Sequence, residues 1–141
     1  MTTTGHVAQA LASTGAQCAK VDVVGIGAGV VDRGVEMELP FVEASAGSRA
    51  TDPERYANAR AEWFWCLRER FESGDIDIDP ADEELAHELA TLRWKPDSRG
   101  RVTIEAKDDM KKRLGRSPDR ADAVAIAFAN LRKEVVFGFW G

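Results

Sequence analysis

Two acids three residues apart, Asp119 and Asp122, open the last strongly apolar helical stretch of this chain, within EAKDDMKKRLGRSPDRADAVAIAFA at residues 105–129. On a helix, side chains at that spacing leave from one face. Just upstream stand Lys107, Lys111, Lys112, Arg113 and Arg116. Two carboxylates beside a cluster of cations have the chemistry to hold a divalent metal next to a phosphate. They also have the chemistry of helix-start acids, which the helix dipole favours. Asp119 suits the second description well. Asp122 suits it less well, because the run Ala123-Val124-Ala125-Ile126-Ala127 that follows predicts a buried helix.

A third acid, Asp22, sits inside Val21-Asp22-Val23-Val24. An unpaired polar group in such a strand costs on the order of 2–7 kcal/mol, so something must compensate it. Either Lys20 or a turn amide satisfies Asp22, or it faces the crevice at the strand's C-terminal end, where open α/β sheets place their ligands. The glycines after it, Gly25-Ile26-Gly27-Ala28-Gly29, do not make a dinucleotide fingerprint, since Val30 or Asp32 stands where its third glycine belongs. They suit a tight strand-to-helix turn. Asp75-Ile76-Asp77-Ile78-Asp79 starts like a calcium loop, but its sixth position is Pro80 and its twelfth Ala86. No phosphate-loop motif occurs, which excludes a P-loop ATPase site in this chain. His6 and His87 lack partners at metal-ligand spacing, and Ser117 reads as a helix cap. Cys18 and Cys66 read as buried thiols, not as a disulfide or a zinc site, which suggests a cytoplasmic setting.

The elements that must position these acids alternate between strands and helices. The pattern predicts a helix to about Ser13 ended by Gly15, a strand over 18–24, a helix over 28–33 and a strand over 40–42. That is a β-α-β unit with parallel strands and a right-handed crossover. A long helix is predicted from Asp52-Pro53 to about Glu72, with Tyr56, Ala59, Trp63, Leu67 and Phe71 facing inward. Then come a helix over 80–92, a hairpin around residues 96–100, a short basic helix over 108–114 and a helix over 118–132. Residues 133–141 form an apolar tail. At 141 residues the chain is expected to make one domain. No apolar run approaches the roughly 20 residues of a membrane helix, and no signal peptide is indicated. The net charge of −5 argues against a general nucleic-acid coat but is unevenly spread. Eight acids and no Lys or Arg lie between Glu72 and Glu88, whereas six bases face three acids between Lys107 and Arg120. A local basic patch is what a phosphate backbone would feel.

Three segments carry a family resemblance: VDVVGIGAGVVDR, NARAEWFWCLRERFESGDIDI and IEAKDDMKKRLGRSPDRADAVAIAFA. Together they resemble the C-terminal nuclease domain of phage terminase large subunits, over about Gly5 to Ala129. The resemblance implies an α/β, RNase H-like mixed sheet flanked by helices. The activity it implies is metal-dependent cutting of double-stranded DNA during phage genome packaging, with the small terminase subunit and the portal as partners. It places Asp22 as the second catalytic acid, Asp122 as the last and Asp119 as an auxiliary one, all binding Mg2+ or Mn2+ in a two-metal site. Lys107, Lys111, Lys112 and Arg113 are the candidates for phosphate contact. Asn58 and Arg60 also match the family pattern, and a structural role for them is equally open. The chain begins just before the helix that should follow the family's opening strands. The expectation is therefore a domain lacking those strands, their essential aspartate and the preceding ATPase motor, with weak metal binding and little or no nuclease activity. The alternative is a non-catalytic module that self-associates through exposed sheet edges and the apolar tail.

Overall fold

A computed structural model describes residues 2–23 and 27–131. The chain divides into two compact units, one built on Met1–Ala46 and the other on Gly47–Ala129. Two regions singled out above, the centre of the glycine turn at Gly25 and the apolar tail, lie outside the described residues.

The first unit is the predicted β-α-β unit preceded by a helix. Helix α1 (Thr3–Thr14) starts where Thr2 accepts a hydrogen bond from the Gly5 amide, and ends at Gly15 with φ +66°. Such a left-handed cap favours glycine, which has no Cβ to clash. Strand β1 (Ala19–Asp22), helix α2 (Gly27–Glu36) and strand β2 (Phe41–Ala44) follow. The strands pair in parallel, from Ala19 opposite Phe41 to Asp22 opposite Ala44. Val31, Phe41, Val42 and Ala44 are buried. A Cβ on Gly34 would overlap the Phe41 ring, so glycine is what lets α2 lie this close to β2.

The second unit holds helix α3 (Ala59–Ser73), helix α4 (Glu83–Thr91), the hairpin β3 (Trp94–Pro96) and β4 (Val102–Ile104), and helices α5 (Lys107–Leu114) and α6 (Asp119–Phe128). Helix α3 packs on β4 and on α6, and α4 packs on α6. Ala61, Phe64, Leu67, Met110, Ala121 and Ala125 fill the interior between them. The hairpin turn is tied by Asp97, whose carboxylate accepts from the Arg99 and Arg101 amides, each at 2.9 Å.

Several expectations need correction. The described strands form two separate two-stranded sheets, not one mixed sheet. Helix α3 starts at Asn58, whose side chain accepts from the Ala61 amide at 2.9 Å, and not at Asp52-Pro53. The Glu62 carboxylate takes the Thr51 and Asp52 amides at 2.9 and 3.1 Å, while β4 bonds to the backbone on either side of Tyr56. The Arg55 and Tyr56 amides do close one turn on the Asp52 carbonyl, but the Ala57 amide and the Arg55 carbonyl go to Val102, so that turn does not run on into α3. Phe71, expected inward, is 39% exposed. Cys66 is exposed and Cys18 only partly buried, so neither is a core thiol. Helix α6 stops at Phe128, where Ala129 turns extended. No helix among the described residues is long and apolar enough to cross a membrane.

Candidate functional site

The first turn of α6 presents both Asp119 and Asp122, as their spacing requires. Their surroundings differ. The Asp119 side chain is 76% exposed, whereas that of Asp122 is 14% exposed. Both converge on one cation, because Lys107 Nζ stands 3.0 Å from Asp122 Oδ2 and 3.3 Å from Asp119 Oδ1. The other Asp122 oxygen, Oδ1, lies 3.3 Å from Arg60 Nη2. Arg60 is itself held by a 2.6 Å bond from Nη1 to the Glu105 carbonyl, and its guanidinium packs 4.9 Å from the Phe64 ring centre. The acid on the buried helix therefore has its reason: a cation at each carboxylate oxygen offsets its desolvation. For Lys107, burial pushes the pKa down, but the hydrogen bonds and charges of Asp122 and Asp119 outweigh it and leave the group above the ordinary lysine value.

The N-terminus of α6 is not capped as the sequence suggested. Pro118 occupies the cap position and supplies no side-chain bond, and Ser117 is not the cap. The bond comes from outside the helix, where Glu88 Oε2 on α4 accepts from the Ala121 amide at 2.8 Å. The sequence distinguishes Glu88 only as the last of the eight acids that start at Glu72. The available signal was its spacing, three residues after the buried Leu85 and so on the same face of α4.

The predicted basic patch is largely spent on internal ion pairs. Arg113 forks onto Glu105 with bonds of 2.9 and 2.6 Å and also donates to the Thr91 carbonyl at 2.7 Å, the end of α4. Arg120 pairs with Asp82 at 2.8 Å and Glu84 at 2.7 Å. Arg116 pairs with Glu84 and, at 3.4 Å, with Glu88. The acidic run thus neutralises much of the basic one. Lys111 and Lys112 are exposed on α5 and make no ion pair among the described residues. Asp22 closes β1 in the first unit, opposite Ala44 and partly buried. Among the described residues there is no group of three or more His, Cys, Asp or Glu placed to hold a metal ion.

No family model matches the sequence, and no curated protein matches it. Solved structures do. The nuclease domain of the large terminase subunit of bacterial virus Sf6 superposes with a TM-score of 0.68 at 22% identity, over 86% of this chain and 69% of that one. A point mutant of the same subunit, from bacteriophage Sf6 with calcium, gives a TM-score of 0.72 at 20% identity, over 86% of this chain and 69% of that one. A mutant of that nuclease domain with manganese gives 0.67 at 20% identity, over 86% of this chain and 70% of that one. The chain has the fold of a terminase large-subunit nuclease domain.

Proposed function

We propose that this chain is a terminase-type nuclease domain whose Asp119 and Asp122 serve metal-dependent hydrolysis of DNA phosphodiesters. The carrying observation is the convergence of Asp119 and Asp122 on a single cationic atom, Lys107 Nζ, within this fold. Two carboxylates aimed at one positive charge, with only oxygen donors, suit a hard divalent ion such as Mg2+ or Mn2+. Bound there, such an ion would polarise a phosphodiester oxygen and acidify a water. The chain's own residues prepare that chemistry. Arg60 takes Asp122 Oδ1 and so fixes the rotamer that turns Oδ2 toward the shared cation position. Lys107 keeps the two acids neutralised at that position and is long enough to turn onto a phosphate instead. Lys111 and Lys112 add positive charge on the exposed face of α5.

In this reading the substrate is double-stranded DNA, the setting is phage genome packaging, and the small terminase subunit and portal are the partners. Two described carboxylates bind a divalent ion weakly, so this chain alone is expected to cut DNA slowly or not at all. Titration of free Mn2+ by electron paramagnetic resonance tests the site. The parent should take up Mn2+ and Asp122→Asn should lose most of that uptake. A parent that takes up none, or a variant that takes up as much, sinks the reading. Rapid Mn2+-dependent plasmid cleavage abolished by Asp122→Ala would overturn the expectation of low activity while upholding the site.

A further inference from the structure

Glu88 is 1% exposed, the most deeply buried of the acids on α4. One of its oxygens is engaged by α6 and the other by the segment that leads into it. Oε2 accepts from the Ala121 amide at 2.8 Å, and Oε1 lies 3.4 Å from Arg116 Nη1. Ala121 is the third residue of α6, two after Asp119 and one before Asp122. The bond therefore grips the helix between the two acids, at a terminus that no side chain of its own caps. Leu85, one turn earlier on α4, is buried on the same face, so the grip is backed by packing.

We propose that Glu88 is a positioning residue for the Asp119–Asp122 pair: by bonding the Ala121 amide it sets the rotation and height of the first turn of α6. This rests on reading those two acids as metal-holding carboxylates. The physical argument is one of leverage. Asp122 must meet Arg60 on one oxygen and the shared cation on the other, while Asp119 reaches the same cation from one turn earlier. An unanchored helix start frays, because its first amides lack intrahelical acceptors. A frayed first turn would carry Asp119 away first and then release Asp122. A carboxylate held by an ionic partner from a second helix removes that freedom, as outer-shell partners do for metal ligands elsewhere.

The test compares Glu88→Gln, which keeps an acceptor for the Ala121 amide, with Glu88→Ala, which removes it. Three quantities are read at one pH: hydrogen exchange at the Ala121 amide, the carbon-13 shift of the Asp122 carboxyl, and Mn2+ affinity. Glu88→Ala should speed Ala121 exchange, move the Asp122 signal and weaken Mn2+ binding by about tenfold or more. Glu88→Gln should keep Ala121 protected and hold Mn2+ affinity within about threefold of the parent. A folded Glu88→Ala with an unmoved Asp122 signal and parental Mn2+ affinity overturns the proposal. Should Glu88→Ala not fold, Glu88→Gln decides. Retained protection with retained affinity supports positioning, whereas retained protection with about tenfold weaker binding assigns the effect to charge and overturns it. A parent that binds no Mn2+ but whose Asp122 signal follows the Glu88 variants would remove the metal reading and leave the positioning role standing.

Discussion

The contact most open to measurement is the one between Lys107 and Asp122. Replacing Lys107 with Met keeps most of the apolar stem and removes the charge that both acids share. The two halves of that interaction are unequal. The Asp119 side chain is 76% exposed, so its 3.3 Å pair with Lys107 is a surface ion pair, worth about 0.2–1 kcal/mol at most. Asp122 is 14% exposed and bonded at 3.0 Å, where a hydrogen bond between charged groups contributes about 1.5–3 kcal/mol. Lys107 itself is 43% exposed, so solvent screening brings that figure down to about 1–1.5 kcal/mol. A double-mutant cycle of Lys107→Met with Asp122→Asn should therefore give a coupling of about 1 kcal/mol, against about 0.3 kcal/mol with Asp119→Asn. Trp63, Trp65 and Trp94 lie in the second unit, so with the fourth tryptophan replaced (Trp140→Phe) tryptophan fluorescence during urea unfolding follows the unit that carries the pair. The pH dependence supplies a second arm. The folded pKa of Lys107 is raised, so its contribution is fully present below the ordinary lysine value of 10.5 and is lost as pH rises through the folded value. The gap between parent and Lys107→Met should be constant near neutrality and close only at strongly alkaline pH. Equal couplings to Asp119 and Asp122, or a coupling to Asp122 under about 0.3 kcal/mol, would refute the shared-cation geometry.

Three further outcomes follow from other contacts. The Glu105 carboxyl is held below its usual range chiefly by its hydrogen bonds from Arg113. A depressed folded pKa means that its contribution is present above the unfolded value near 4.5 and is lost as pH falls through the folded value. Glu105→Gln should cost about 1–2 kcal/mol at pH 7 and flatten the acid limb of the stability curve, as read by urea midpoints between pH 2 and 7. Neutralising Lys111 and Lys112 together should weaken DNA binding and reduce the log–log salt slope by about 2 in a filter-binding titration, with the urea midpoint unchanged. An unchanged slope would make them a solvated helix face. Gly34→Ala should destabilise the first unit by about 1–3 kcal/mol, because its Cβ must displace the buried Phe41 ring. Hydrogen exchange in β1 and β2 would report it.

Local signals proved readable wherever the deciding groups lie within a few residues of each other. Gly15, expected to end the first helix, does so with a positive φ. The parallel pairing of β1 with β2 followed from two short β-branched runs around a helix. The common face of Asp119 and Asp122 followed from their spacing. The start of α3 was not readable, although Asp52-Pro53 is a sound local start signal. It is overridden by β4, whose Val102 takes the Ala57 amide and donates its own to the Arg55 carbonyl, so the turn begun at Asp52 cannot continue into α3.

The same distinction explains the basic patch. Lys107 to Arg120 reads as an unbalanced block of charge only while its partners are out of sight. Arg120 finds Asp82 from 38 residues away and Arg113 finds the Thr91 carbonyl from 22. Both partners belong to α4 or its cap, so the acidic and basic runs are two sides of one interface between α4 and the segment that carries α5 and α6. That interface does more than cancel charge. Through Glu88 it fixes the amide between Asp119 and Asp122, and through Arg113 and Glu105 it steadies the carbonyl that holds Arg60. Arg60 in turn holds Asp122. Arg113 and Arg116 therefore act through Glu105 and Glu88 on the surroundings of Asp122, while Arg120 only pairs with acids at the start of α4. On the proposed function, the charge left for DNA is that of Lys111 and Lys112, joined by Lys107 should it leave its two acids.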